Sequence, residues 1–252
     1  MNAWRERANA LAGELAATAG IDPQWAAAFA DIPRHVFVPR FYHPLSFPDA
    51  LELVDGTDPN HRQRWLNEVY SDKSLVTQYA LTPGTPDLWQ STSSSTRPSL
   101  MARMLTLLDV HDGNRVLEIG TGTGYNSALL YHRLGSGNVA SLDIDPELVD
   151  LARDRLATLG QHPTLAVGDG AAGFADDAPY DRIIATCAVQ TDPRTMARPA
   201  KTRRADRGGP AWRPHLQPAG RPRQRRRYRQ RTVSRRARPF HVAARPRRQS
   251  SA

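Results

Sequence analysis

The stretch Val116–Leu130, VLEIGTGTGYNSALL, constrains the fold more than any other. An apolar run, a turn holding Gly120, Gly122 and Gly124, and a helical run in direct succession predict a strand that passes through a glycine-rich turn into a helix. Many α/β proteins hold a nucleotide this way. The pattern repeats downstream: strand RVLEIG, helix YNSALLYHRL, strand NVASLDI, helix PELVDLARDRLATL, then TLAVGD and YDRIIATCAV as strands. Alternation at this spacing predicts an α/β, Rossmann-like fold with a parallel sheet and right-handed crossovers. It stops at Asp192, short of the strands that would complete a doubly wound sheet, so the C-terminal strands are expected to be missing.

Upstream, residues 3–19 repeat their apolar positions like an amphipathic helix and lack the uninterrupted apolar stretch of a signal peptide. IDPQWAAAFADI predicts a second helix, with Asp22 as N-cap and Pro23 in its first turn. IPRHVFVPRFY is interrupted by prolines and predicts a turn followed by an extended segment. From His43 to Ser95 there is little regular pattern, which predicts a long irregular lid. RPSLMARMLTLLDV resumes a helical period, with Leu100, Met104, Leu107 and Leu108 expected on one face. The division expected is an N-terminal helical and lid region (1–98), a cofactor-binding domain (99–192) and a tail (193–252).

Charge sets the tail apart. Residues 193–252 hold 20 Lys and Arg against one acidic residue, whereas the preceding 192 hold 14 against 24. With eight prolines and no sustained period, the tail cannot build a core. Three readings stand: an arginine-rich arm for nucleic acid, a solvated tail, or an out-of-frame translation of a GC-rich gene. Read one base later, codons for Arg231–Arg245 permit GRFLAVPGHFMWLR, an ordinary strand-like sequence. The single Cys187 excludes an internal disulfide, and the eight histidines show no ligand-like spacing, so no metal site is expected. No segment approaches the roughly 20 apolar residues that cross a bilayer. A cytoplasmic monomer without a membrane partner is expected, with nucleic acid a partner only through the tail.

Three carboxylates narrow the ligand. Glu118 precedes the glycine turn, Asp143 ends the second strand, where a carboxylate can accept both ribose hydroxyls, and Asp169 ends the third, where it can meet an adenine edge. A pyrophosphate at a helix N-terminus wants compensating positive charge, but this rim is negative. It suits the ammonium and sulfonium of S-adenosylmethionine better than NAD. The cofactor site is therefore expected to comprise Glu118, Gly120, Thr121, Gly122, Gly124, Asp143, Asp169 and Gly170.

RVLEIGTGTGYNSALL, ASLDIDPELVDLARDRL, VGDG and APYDRIIATCAV together resemble the cofactor-binding half of the protein-L-isoaspartate O-methyltransferase family. IPRHVFVP is similar to that family's N-terminal signature, and SSSTRPSLMARMLTLL to the segment ahead of its first strand. The resemblance spans roughly Ile32 to Val189. It implies a fold that uses S-adenosylmethionine to esterify an isoaspartyl or aspartyl carboxylate of a protein or peptide. It places the family's active-site serine at Thr96, with Ser94 and Ser95 at the two preceding motif positions. The insert between Pro48 and Ser91 and the threonine at 96 are more similar to relatives that methylate ribosomally made peptides.

The chemistry fits these residue types. A carboxylate with a pKa near 4 is already ionised at neutral pH and needs no general base. The enzyme must supply in-line placement and exclude water, and a hydroxyl such as Thr96, with nearby backbone N–H groups, can orient one carboxylate oxygen while the other attacks. The alternative is a non-catalytic remnant or nucleic-acid-binding chain acting through its basic tail.

Overall fold

The computed structural model describes residues 3–46, 50–82, 84–85 and 88–188. The expectations for 193–252 lie outside the described residues. The elements run α1 (Ala3–Ala19), α2 (Pro23–Asp31), α3 (Arg34–Phe37), β1 (Arg40–Ser46), β2 (Ala50–Asp55), α4 (Arg62–Val69), β3 (Leu75–Leu81), β4 (Trp89–Ser95), α5 (Pro98–Leu108), β5 (Val116–Ile119), α6 (Tyr125–Leu134), β6 (Val139–Asp143), α7 (Pro146–Ala157), β7 (Thr164–Val167) and β8 (Arg182–Ala185).

The predicted parallel sheet is present in the order β7-β6-β5-β8. Its central strand β5, VLEI, is buried at all four positions. Such a strand is covered on both faces and shows an apolar run, not alternation. Its last member, β8, is only Arg182–Ala185, shorter than the ten-residue run expected, because the flanking Tyr180 and Cys187 lie beyond its pairing with β5.

One apolar core takes in both ends of the described chain, from Ala8 and Leu11 through Trp25, Phe29 and Phe37 to Leu129 and Ile184. Helix α1 packs on α2 and α5, and α2 on α6. Asp22 caps α2 as expected, accepting the Trp25 N–H at 2.8 Å.

Three local expectations are corrected. The segment 43–95 is not irregular: it supplies most of a four-stranded antiparallel sheet in the order β2-β1-β3-β4, with α4 between β2 and β3. Strand β4, WQSTSSS, is exposed at five of seven positions. It is held by backbone pairing that any residue can make, so it leaves no apolar period to detect. Secondly, IPRHVFVPRFY begins with one helical turn, α3, before β1. Pro33 stands just ahead of that turn, where its missing N–H costs nothing. Thirdly, α5 buries Pro98, Met101, Ala102, Leu105 and Leu108 and leaves Leu100 and Leu107 exposed. Helix α5 packs on α1 and β8 with the small Ala102 fully buried, and hydropathy alone ranks that face below the leucine face.

Candidate active site

The C-terminal ends of β5, β6 and β7 and the start of α6 open into a cavity of about 830 Å³, whose other wall is Ser91–Thr96 of β4 and the residue after it. This wall is the far edge of the antiparallel sheet. Ten of the eleven residues expected at the site line this cleft, Ser94, Ser95, Thr96, Glu118, Gly120, Thr121, Gly122, Asp143, Asp169 and Gly170, whereas Gly124 does not line it and caps the start of α6.

The turn is built by glycine where geometry demands it. Gly120, Gly122 and Gly124 have φ of 94°, 51° and 86°, a region that side chains with a Cβ rarely adopt. A Cβ on Gly120 would lie 3.0 Å from Cys187 Cβ, and one on Gly124 3.0 Å from Ala152 Cβ. A Cβ on Gly122 would meet only Ser93 Oγ at 3.8 Å, so it would project into the cleft. The first and third glycines serve packing, and the second leaves room for a ligand.

The carboxylates differ in their bonding. Asp143 Oδ2 accepts the Gly122 N–H at 2.8 Å and Oδ1 the Asp145 N–H at 3.1 Å, so the residue is tied to the turn while still facing the cleft. Asp169 is exposed and caps a short helical turn by accepting the Ala171 N–H at 2.9 Å. Glu118 is fully buried. It accepts from Ser127 Oγ, from Ser141 Oγ at 2.7 Å and from Asn126 Nδ2 at 2.8 Å. Burial pushes its carboxyl above the ordinary range, against the pull of those three donors, and the negative charge of Asp143 adds to the rise.

Sequence reasoning missed the groups that hold Glu118. Asn126 and Ser127 stand in the same YNS triplet that opens α6, and Ser141 lies opposite Glu118 in the sheet register. The Asn126 Oδ1 atom is buried beside the cleft and has no partner among the described residues. With its amide nitrogen committed to Glu118, that oxygen is an acceptor in want of a donor. Among the described residues no Lys, Arg or His lines the cleft.

The hydroxyl run divides by role. Ser95 is buried and its hydroxyl accepts from Arg34 at 3.2 and 3.3 Å, so it is committed to the scaffold. Ser94 and Thr96 line the cleft, and among the described residues their hydroxyls form no hydrogen bond. The hairpin β3–β4 also reaches the opposite wall. Gln78 Nε2 donates to Asp145 Oδ2 at 3.2 Å, and Thr92 Oγ1 donates to Gln78 Oε1 at 2.8 Å.

Comparison with known proteins points to one family. The model of the family described as protein-L-isoaspartate(D-aspartate) O-methyltransferase matches residues 6–202. Protein-L-isoaspartate O-methyltransferase 2 of Archaeoglobus fulgidus is 32% identical over 202 residues, covering 79% of this chain and 76% of its own length. Protein-L-isoaspartate O-methyltransferase of Ignicoccus hospitalis is 39% identical over 41% of this chain, which spans half of it, 50%. A solved protein-L-isoaspartate O-methyltransferase aligns with a TM-score of 0.54 at 30% identity, over 76% of this chain and 50% of that one.

Proposed function

The chain belongs to the protein-L-isoaspartate(D-aspartate) O-methyltransferase family, and from that premise we propose that it esterifies an isoaspartyl or aspartyl carboxylate of a protein or peptide. The family's methyl donor is S-adenosylmethionine. One observation carries the reading: three carboxylates, Glu118, Asp143 and Asp169, meet in a cleft that, among the described residues, is lined by no cationic side chain. That donor set fits a cationic adenosyl ligand and not a pyrophosphate.

The cofactor supplies, when bound, a methyl group activated on a sulfonium. Around it, Asp143 accepts ribose hydroxyls with the lone pairs its two backbone bonds leave free. Asp169 takes the adenine edge at the end of β7. Glu118 and the unpartnered Asn126 Oδ1 favour the ammonium end. Across the cleft, the Thr96 hydroxyl donates to one oxygen of the acceptor carboxylate while the other faces the methyl carbon. A bound sulfonium would supply its methyl group to the carboxylate oxygen that faces it and be left as a neutral thioether, so the residues of this wall would have no proton to move. This explains why the hydroxyl wall contains no general base.

The same reading takes the chain as a cytoplasmic monomer with neither nucleic acid nor membrane as partner. Among the described residues no helix is long and apolar enough to cross a membrane.

The test is transfer of labelled methyl from S-adenosylmethionine to an isoaspartyl peptide, its aspartyl isomer and its asparaginyl counterpart, with the ester read as base-labile methanol. Transfer to either carboxylate peptide but not to the amide is expected. Cofactor binding without transfer to any carboxylate peptide would overturn the assignment.

A further inference from the structure

Behind the hydroxyl wall lies a buried cation with no ion-pair partner among the described residues. Arg34, on α3, is 0% exposed. Its guanidinium donates to the carbonyl oxygens of Val69 at 2.8 Å, Ser71 at 3.2 Å, Lys73 at 3.1 Å and Thr96 at 3.1 Å, and to the Ser95 hydroxyl. All of these acceptors are uncharged. Among the described residues no carboxylate forms an ion pair with it, and Asp72 acts on it only at longer range while accepting the Ser99 N–H at 2.8 Å. On another side stands the Tyr125 ring, 5.7 Å from the guanidinium carbon, its hydroxyl buried and without a partner among the described residues. Burial draws the Arg34 pKa down to about 10, so the charge persists at neutral pH.

Hydrogen bonding alone does not account for a charge here. Neutral donors could stitch these loops together, whereas an isolated buried cation is expensive unless an anion completes it. The anion's place is set by the wall: Arg34 grips the carbonyl of Thr96 and both oxygens of Ser95 from behind, and the front of those residues lines the cleft. We infer that Arg34 is a positioning residue that fixes Ser95 and Thr96 and supplies the positive field by which the acceptor's carboxylate is drawn to Thr96. The inference rests on the carboxyl-methylation reading given above.

The field has a defined kinetic signature. As the ester forms, the carboxylate loses its negative charge, so Arg34 stabilises the bound acceptor more than the transition state. Its loss therefore falls on the acceptor's KM more than on kcat.

The experiment compares an isoaspartyl peptide with its carboxamide isostere, both binding to the full chain loaded with S-adenosylhomocysteine. The wild type should prefer the carboxylate by roughly tenfold or more. In Arg34→Gln that preference should fall to within about threefold, through weaker carboxylate binding with amide binding little changed. Arg34→Lys, which keeps the charge but not the fork, should restore most of it. A merely structural arginine would weaken both peptides alike. Full preference in a folded Arg34→Gln, lost preference in a folded Arg34→Lys, or equal binding of the two peptides by the wild type would each overturn the inference. Should Arg34→Gln fail to fold, the wild-type ratio and Arg34→Lys decide. A wild type that prefers the carboxylate peptide yet transfers no methyl would instead defeat the catalytic reading and leave this one standing.

Discussion

Asp143 at the end of β6 accepts the backbone N–H of Gly122 at 2.8 Å, so the carboxylate assigned to the ribose also shapes the glycine turn beneath it. Asp143→Ala should therefore do two things. Losing a charged acceptor should weaken cofactor binding by about 3 kcal/mol, roughly a hundredfold in Kd. Freeing the N–H groups of Gly122 and Asp145 should lower Tm by several degrees, for about 1–2 kcal/mol. Calorimetric titration with S-adenosylmethionine and a thermal melt check the two effects separately. Unchanged affinity would remove Asp143 from the site.

Thr96 offers a hydroxyl with no partner in the described structure, unlike its neighbour Ser95, which is bound to Arg34. Thr96→Ala should cut kcat/KM for a peptide acceptor by about 1–2 kcal/mol, roughly 5- to 30-fold, and leave cofactor Kd within about twofold. Thr96→Ser should retain most of the activity. Equal loss in the Ser and Ala variants would show that the methyl group, not the hydroxyl, is what the site uses.

Glu118 is a buried carboxyl whose pKa lies above its ordinary 4.5. For an acid raised in the folded state, the protonated form is favoured by folding. Its stabilising contribution is full below 4.5 and is lost as pH rises through the higher folded value. Glu118→Gln removes that dependence, so its Tm should fall less steeply than the wild type's between pH 4.5 and neutrality. The same variant should bind S-adenosylmethionine more weakly, because the field toward the ammonium is gone. Parallel stability–pH curves for the two proteins would refute the assignment of this titration to Glu118.

Gln78 ties the β3–β4 hairpin to Asp145 across the cleft. Gln78→Ala should release that tie and speed cofactor dissociation several-fold in a stopped-flow chase. Gln78→Glu sets like charges face to face and should act more strongly. Identical off-rates in all three proteins would mean the bridge does not gate the cleft.

The family match ends at residue 202, within the basic tail. If the codons beyond about 192 are read in the wrong frame, restoring the frame one base later should yield a chain with more carboxyl methyltransferase activity than the present one, and removing the tail should not. Full activity in the present chain, lost when Arg225–Arg231 are made neutral, would show instead that the tail works as written.

The parallel sheet and its glycine turn were legible in the sequence. Glycines at 120, 122 and 124 and carboxylates at successive strand ends are local signals, each set by what one strand-to-helix turn requires. The antiparallel sheet of residues 40–95 was not legible, because β4 is built from serines and threonines whose strand conformation comes from pairing with β3. The face of α5 was misread for a related reason: two apolar stripes exist on that helix, and only the neighbours α1 and β8 choose between them. The division of labour inside the site was likewise decided in three dimensions. Sequence placed Glu118 near a ligand, but Ser127, Ser141 and Asn126 close around it only once β6 and α6 pack on β5. It grouped Ser94, Ser95 and Thr96 together, and Arg34, 61 residues before Ser95, separates them by occupying the middle hydroxyl. A motif states which groups are present; which of them remain free for chemistry depends on partners that only the folded chain brings within hydrogen-bond reach.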